Sequence, residues 1–479
     1  PLELIIMYGG YQSTKQNLDP VYSQIIDYVT KGDGSGKAYK NLATFVDRFG
    51  SRKVGTQRLE DAISHLVSEL ESLGSLKVHT ESFSFEGWQR GAESAELVAP
   101  LSKRLPMLSL GSSVGTAAAS DSADGSIEAD CVVVESFNEL DRLGKAGISG
   151  KIVVYNQLYK GYGVSVQYRT DGASRASKYG AVAALIRSVT PFSIGSPHTG
   201  MQEYEPGLPV QIPACCITVE DAELMHRIYK RGDKVRVRLR MSCGSAGVQE
   251  SRNIVADLEG SEKPQELVVV CGHIDSWDVG QGAMDDGGGA FCAMQSVRTL
   301  LEMGLRPRRT IRLVLFSGEE FGILGGNAYY ERHKAELADK ISFMLESDSG
   351  TFGPIGTTCS GSEATRSAYQ QVLNLLEPIG ATTLVPSTDG PDITVWAKSG
   401  VPVGDLLTKR AGQPDDFYFY FHHSEGDMMT VQDPAEMDRC VAAFAVVSLA
   451  LADAAELLPR GISGASAGED GLLSDWVLV

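Results

Sequence analysis

The sequence predicts an α/β fold: a mixed, largely parallel sheet flanked by helices and interrupted by a β-rich insertion. Three observations predict it. Beyond Arg252, strand-like runs alternate with segments of helical period, the pattern of parallel strands joined by helical crossovers. Residues 17–74 read as helical. Between these stretches, residues 92–247 change to short β-like runs separated by Gly, Ser and Pro.

Taken in order, the helical segment ends at 57–73, where Leu59, Ile63, Leu66 and Leu70 recur at helical spacing ahead of Gly74. The GDGSGK run at 32–37 lacks the Ser or Thr and the preceding strand of a phosphate loop, so it reads as a turn between helices. Residues 77–85 alternate like a strand. The insertion includes a low-complexity stretch at 115–125, rich in Ala, Ser and Asp. After it come strand 266–271, helix 290–303, strand 310–316, helix 324–337, strand 341–345 and helix 363–376. Residues 1–91 and 248–458 thus belong to one domain, 92–247 to the insertion, and 459–479 to a small, polar, mobile tail. No internal repeat is present.

Composition narrows the function. An apolar content of 43% over 479 residues supports a sizeable core. The formal charge of -18 repels a nucleic-acid backbone and excludes that partner. The longest apolar runs, such as 267–271, have strand length, so no membrane span is expected. The apolar run 2–7 has no basic region before it and is not an intact signal peptide. Eight cysteines without a C-x-x-C pair indicate neither a thiolate metal site nor a dense disulfide framework, and leave room for one or two disulfides. No asparagine begins an N-x-S/T sequon.

Three of the strands end in metal-binding residue types: His273 follows 268–270, Glu319 and Glu320 follow 312–316, and Asp348 follows 343–345. In open α/β sheets the ligand site lies outside the carboxyl ends of the strands, so these segments converge on one crevice. The glycine-rich acidic loop 273–289 bends tightly and brings Asp285 to the same place. Imidazole and carboxylate together suit zinc. Five ligands exceed what one tetrahedral catalytic ion with an open position uses, whereas one carboxylate bridging two ions serves both. The fifth comes from the other histidine cluster, His422–His423, after the aromatic run 417–421. Asp275 is placed to accept the second ring N–H of His273 and fix its tautomer.

Segments 273–289, Glu319–Glu320, 346–352 (ESDSGTF) and 421–427 closely resemble the dizinc peptidase family that includes bacterial aminopeptidases and glutamate carboxypeptidase II. The likeness extends through SGKIVVYNQ at 149–157, SVQYRTDGA at 165–173, SPHTGMQEY at 196–204 and ITVEDAE at 217–223, and runs from about Tyr22 to Leu458. It implies a catalytic α/β domain interrupted by a protease-associated domain. It also implies that His273 and Asp348 hold one zinc, Glu320 and His423 the other, and Asp285 both, with a cis Asp285–Asp286 peptide. Glu319 would be the general base: it takes a proton from the metal-bridging water, the hydroxide attacks the zinc-polarised carbonyl, and the proton passes to the leaving amine. His423 is chosen over His422 because the family places an acid four residues later, here Asp427; the usual threonine after that acid is Met428. The branch it resembles acts on small peptides, notably dipeptides with free termini, as secreted or lysosomal homodimers.

Three other readings compete. A broader dizinc aminopeptidase keeps the same site. A non-catalytic binding protein on the same scaffold is disfavoured by the complete ligand set. A serine hydrolase is suggested by Gly111-Ser112-Ser113-Val114-Gly115, which runs into the alanine-rich stretch rather than a helix. Lys409 and Arg410, on the loop 409–421, are candidates for attracting a terminal carboxylate.

Overall fold

Three helices open the described chain, which in this computed structural model comprises residues 20–120 and 122–460. They are α1 (Pro20–Lys31), α2 (Lys37–Phe49) and α3 (Gln57–Ser72), with the GDGSGK run forming the turn between the first two. Thr56 caps α3 by accepting the Leu59 N–H, and Leu59, Ala62, Ile63, Leu66 and Leu70 form its buried stripe. The apolar run 2–7 and the tail beyond residue 460 lie outside the described residues. Pro459 and Arg460, which the sequence assigned to the tail, are held: Thr365 Oγ1 donates to the Pro459 carbonyl at 2.6 Å, and Arg460 donates to the Ile341 carbonyl at 2.7 Å.

Strand β1 (Lys77–Gln89) leads to a second sheet built from β2 (Glu93–Ala99), β3 (Lys103–Leu105), β4 (Met107–Ser109), β5 (Ile127–Val134), β6 (Ile152–Tyr155), β7 (Ala183–Arg187), β8 (Ala214–Ile217) and β9 (Arg236–Met241). The sheet runs β3-β2-β9-β5-β6-β7-β8-β4, and β5 to β8 are parallel. This region is less purely β than its sequence texture suggested. It also carries helices α4 (Phe137–Ile148), α5 (Tyr162–Ser165), α6 (Gln167–Lys178) and α7 (Val219–Lys230). Helices α4 and α7 have legible caps, since Ser136 accepts Glu139 N and Thr218 accepts Asp221 N. Helix α6 is rich in Ala, Ser and Gly and buries small residues on most of its surface, so no apolar stripe announced it.

The chain returns through β10 (Gly244–Leu258), which pairs antiparallel with β1 from Gln89↔Gly244 inward. The chain between β1 and β10 therefore leaves and re-enters the main sheet at one point. There follow β11 (Lys263–His273), α8 (Gly288–Glu302), β12 (Arg309–Phe316), α9 (Leu324–Leu337), β13 (Ile341–Glu346), β14 (Pro354–Thr358), α10 (Glu363–Leu373), β15 (Thr383–Val385), β16 (Val403–Thr408) and α11 (Pro434–Asp453). The main sheet runs β1-β10-β12-β11-β13-β16-β14-β15, and its central strands β12, β11, β13 and β16 are parallel. Helix α11 is buried almost throughout from Met437 to Ala452 and packs on α1, α2 and α8. Asp433 caps it, with Pro434 in the first turn.

The mixed α/β class is as predicted. All eight cysteines lie among the described residues, free and buried, so neither of the disulfides that the sequence left room for is formed. Among the described residues no helix is long and apolar enough to cross a membrane.

Candidate metal centre

Strand register builds this site. His273 ends β11 opposite Phe316, which ends β12, so Glu319 and Glu320 follow at the same sheet edge. On the other flank Val270 pairs with Leu345, and Asp348 lies just past β13. The segment after β11 folds back through 283–287 into α8, and the Asp285–Asp286 peptide is cis. Gly289, in the first turn of α8, packs so tightly that a Cβ would collide with the Ser347 carbonyl.

These elements bring the predicted residues together around one carboxylate. His273 Nε2 lies 3.3 Å from Asp285 Oδ1 and 3.3 Å from Asp348 Oδ1. The other oxygen, Asp285 Oδ2, is 3.4 Å from His423 Nε2, which is 2.9 Å from Glu320 Oε2. Glu319 stands back, its Oε2 3.9 Å from His273 Nε2. His273, Asp285, Glu319, Glu320 and His423 are buried, and Asp348 is partly exposed.

Protein groups do not satisfy this cluster. His273 Nε2, Asp285 Oδ2, Asp348 Oδ1 and Glu319 Oε1 are buried without a hydrogen-bond partner among the described residues. Burial, then neighbouring carboxylates, pushes Glu319 and Glu320 well above the usual carboxylate range. Burial pushes His423 down to about 3, which keeps its imidazole neutral. The carboxylates around His273 instead raise its pKa well above the usual imidazole value, so a divalent cation there would take the place of its proton. Imidazole nitrogens among crowded carboxylate oxygens are a donor set suited to divalent cations. In each of two sets the donor atoms lie within 4.8 Å of one another: Asp285, His422 and His423 in one, and His273, Asp286 and Asp348 in the other. Asp286 is already engaged, because its oxygens accept the N–H groups of His273 (3.1 Å) and Gly289 (3.0 Å). That leaves Asp285 as the carboxylate facing both histidines. His422 stacks on His423 with ring centroids 3.5 Å apart, and its Nε2 is 3.7 Å from Asp285 Oδ2.

The surrounding shell orients these groups. The nearest acceptor of His273 Nδ1 is the Asp275 carbonyl at 3.2 Å, with the Asp275 carboxylate at 3.5 Å; that carboxylate accepts the Glu319 N–H at 3.2 Å. Asp427 accepts the N–H groups of Ala283 (2.9 Å), Met284 (2.7 Å) and Asp285 (3.2 Å), and so holds the loop that presents Asp285. His423 adopts φ 59°, in the left-handed region where a non-glycine side chain carries strain. Sequence reasoning missed Arg52. Its buried guanidinium donates to the carbonyls of Ile274 (2.7 Å), Gln281 (2.6 Å) and Gly282 (2.8 Å), bracing the loop from behind. Backbone acceptors leave no mark in sequence, and only the burial of an arginine beside this loop reveals it.

Other candidates lie elsewhere. Lys409 pairs with Asp415 at 2.6 Å and Arg410 with Glu436 at 2.7 Å. Ser113 Oγ accepts the Ala214 N–H and donates to the Val114 carbonyl, a tie between loop and strand rather than a nucleophile. The aromatic run contacts the insertion: Phe419 stacks on Tyr162 at 4.5 Å and Tyr420 on Phe192 at 5.2 Å.

Carboxypeptidase Q of Mus musculus is 45% identical to this chain over 446 residues, 93% of this chain and 92% of the mouse protein. The Homo sapiens carboxypeptidase Q is 46% identical over 442 residues, 92% of this chain and 90% of the human protein. The signature of Peptidase family M28 matches residues 253–448. The chain belongs to peptidase family M28. It is a metallopeptidase, and the cluster around Asp285 lies within the part that carries the family signature. The crystal structure of an M28 peptidase precursor from Shewanella amazonensis SB2B superposes with a TM-score of 0.85 at 29% identity, covering 92% of this chain and 98% of that one. A zinc aminopeptidase from Bacillus subtilis has a similar fold, with a TM-score of 0.64 at 17% identity over 86% of this chain and 94% of its own.

Proposed function

We propose that this chain is a zinc-dependent exopeptidase that hydrolyses small peptides, foremost dipeptides with free termini, with two zinc ions per chain. The divided aspartate carries the reading: one Asp285 oxygen faces His273 and Asp348, the other faces His423 and Glu320. This supports His273 and Asp348 as ligands of one ion, Glu320 and His423 of the other, and Asp285 of both. Bound zinc polarises the scissile carbonyl and lowers the pKa of water. Glu319, buried with a free Oε1, takes the proton of the attacking water and returns it to the leaving amine. Asp275 orients His273 and anchors the Glu319 backbone.

The exopeptidase part of the reading draws on the carboxypeptidase relatives, and the zinc on the aminopeptidase that shares the fold. Residues 92–247 act as a protease-associated domain inserted between 1–91 and 248–458. Their stacking on Phe419 and Tyr420 walls the crevice and favours short substrates. A homodimer, secreted or lysosomal, completes the proposal. The test is a comparison of one free dipeptide with its N-acetylated and C-amidated forms, alongside metal analysis. The expected result is fastest cleavage of the free dipeptide at two zinc ions per chain. Equal rates on all three would replace the dipeptidase reading with a less selective peptidase.

A further inference from the structure

The loop bearing His423 is fastened to the insertion. The Thr199 N–H donates to the His423 carbonyl at 2.9 Å, and His423 Nδ1 lies 3.2 Å from the Thr199 carbonyl. One residue earlier, His198 Nδ1 donates to the His422 carbonyl at 2.7 Å. A carbonyl only accepts, so Nδ1 of His423 carries the proton and Nε2 presents its lone pair to Asp285 and Glu320.

A second donor holds that carbonyl. Arg169, on α6 and 2% exposed, gives one terminal N–H to the Thr199 carbonyl at 3.1 Å and another to the Tyr162 hydroxyl at 2.8 Å. It forms no ion pair with a carboxylate among the described residues, and its Nε has no partner. Burying an unpaired guanidinium is costly, so its placement calls for a reason beyond packing. Gly200 makes the placement possible: at φ 144° it adopts a conformation that favours glycine, and a Cβ there would collide with the guanidinium. The Thr199 hydroxyl is fixed as well, donating to the Ser109 carbonyl at 3.1 Å and accepting from Arg90 at 3.3 Å.

We propose that Thr199 and Arg169 of the insertion are positioning residues for His423: the carbonyl selects the tautomer and aims Nε2, and the guanidinium holds the carbonyl. The inference rests on the reading of His423 as a metal ligand. The insertion then controls one ion position and leaves the other alone, because His273 takes its orientation from Asp275 in the loop just past β11.

The test uses the full-length, metal-free protein and has two readouts. Calorimetric titration with zinc should give two binding events in the wild type. In Arg169→Met one event should be unchanged and the other weaker, by up to the about 10–100-fold that losing a ligand's direct partner costs, with Arg169→Lys in between. Nitrogen-15 NMR of histidine-labelled wild type, with His423 assigned by its loss in His423→Gln, should show Nδ1 protonated and Nε2 bare. Unchanged affinities in a folded Arg169→Met, equal weakening of both events, or an Nε2-protonated His423 would each overturn the proposal. The tautomer measurement decides alone if Arg169→Met fails to fold. A single zinc event in the wild type would count against the two-ion reading instead, and the tautomer would still judge the role of Thr199.

Discussion

Glu319→Gln separates proton transfer from metal binding. Glu319 is 2% exposed, its N–H is held by the Asp275 carboxylate at 3.2 Å, and its Oε2 stands 3.9 Å from His273 Nε2, farther than the 2.9–3.4 Å contacts that join the proposed ligands. Glutamine keeps the size and the backbone tie but does not accept a proton at neutral pH. Loss of general base catalysis typically costs about 10²–10⁴ in rate, or ~3–5 kcal/mol in the barrier. The expected result is kcat on a free dipeptide reduced by that factor, with zinc content and melting temperature unchanged. Burial raises the proton affinity of Glu319. Two results would refute the reasoning: zinc loss matching that of a ligand variant, or kcat within about tenfold of wild type.

Three further outcomes are expected. His423→Ala should weaken one zinc ion while the other, near His273 and Asp348, stays bound; metal analysis after dialysis checks this, and loss of both ions would contradict the division at Asp285. Glu81 bonds His333, Arg332 and His79, and these contacts outweigh its burial and bring its pKa from 4.5 down to about 2. A depressed carboxylate stabilises the fold above its unfolded pKa, so Glu81→Gln should cost ~3 kcal/mol at pH 7, and the difference should vanish as pH falls from about 4.5 to about 2, as read by urea unfolding across that range. Leu66, fully buried on α3, should cost about 2–5 kcal/mol when replaced by alanine, measured in the same assay; a loss below about 1 kcal/mol would mean the site collapses around the gap.

Much of this architecture is written in short-range pattern. The period of Leu59, Ile63, Leu66 and Leu70 marks α3 because an exposed helix with one buried face needs that spacing. The runs ending in β11, β12 and β13 mark parallel strands because both of their faces are covered, and a histidine or acid just past each end falls at the edge where such sheets place their sites. Helix α6 was not legible, because its small residues give no apolar stripe.

The sequence by itself determined the residue types of the centre, their place at the strand ends, and the family. Only the tertiary structure decided how they meet: that Asp285 turns its two oxygens to different histidines, that Asp286 is spent on backbone N–H groups, and that His422 stacks behind His423. It alone revealed Arg52 and the Thr199 carbonyl as supports. The physical reason is that side-chain identity and period act over a few residues, whereas orientation at the centre is set by backbone carbonyls and N–H groups from distant segments. Every residue but proline carries the same such groups, so their use is fixed by the fold and not spelled by the residue.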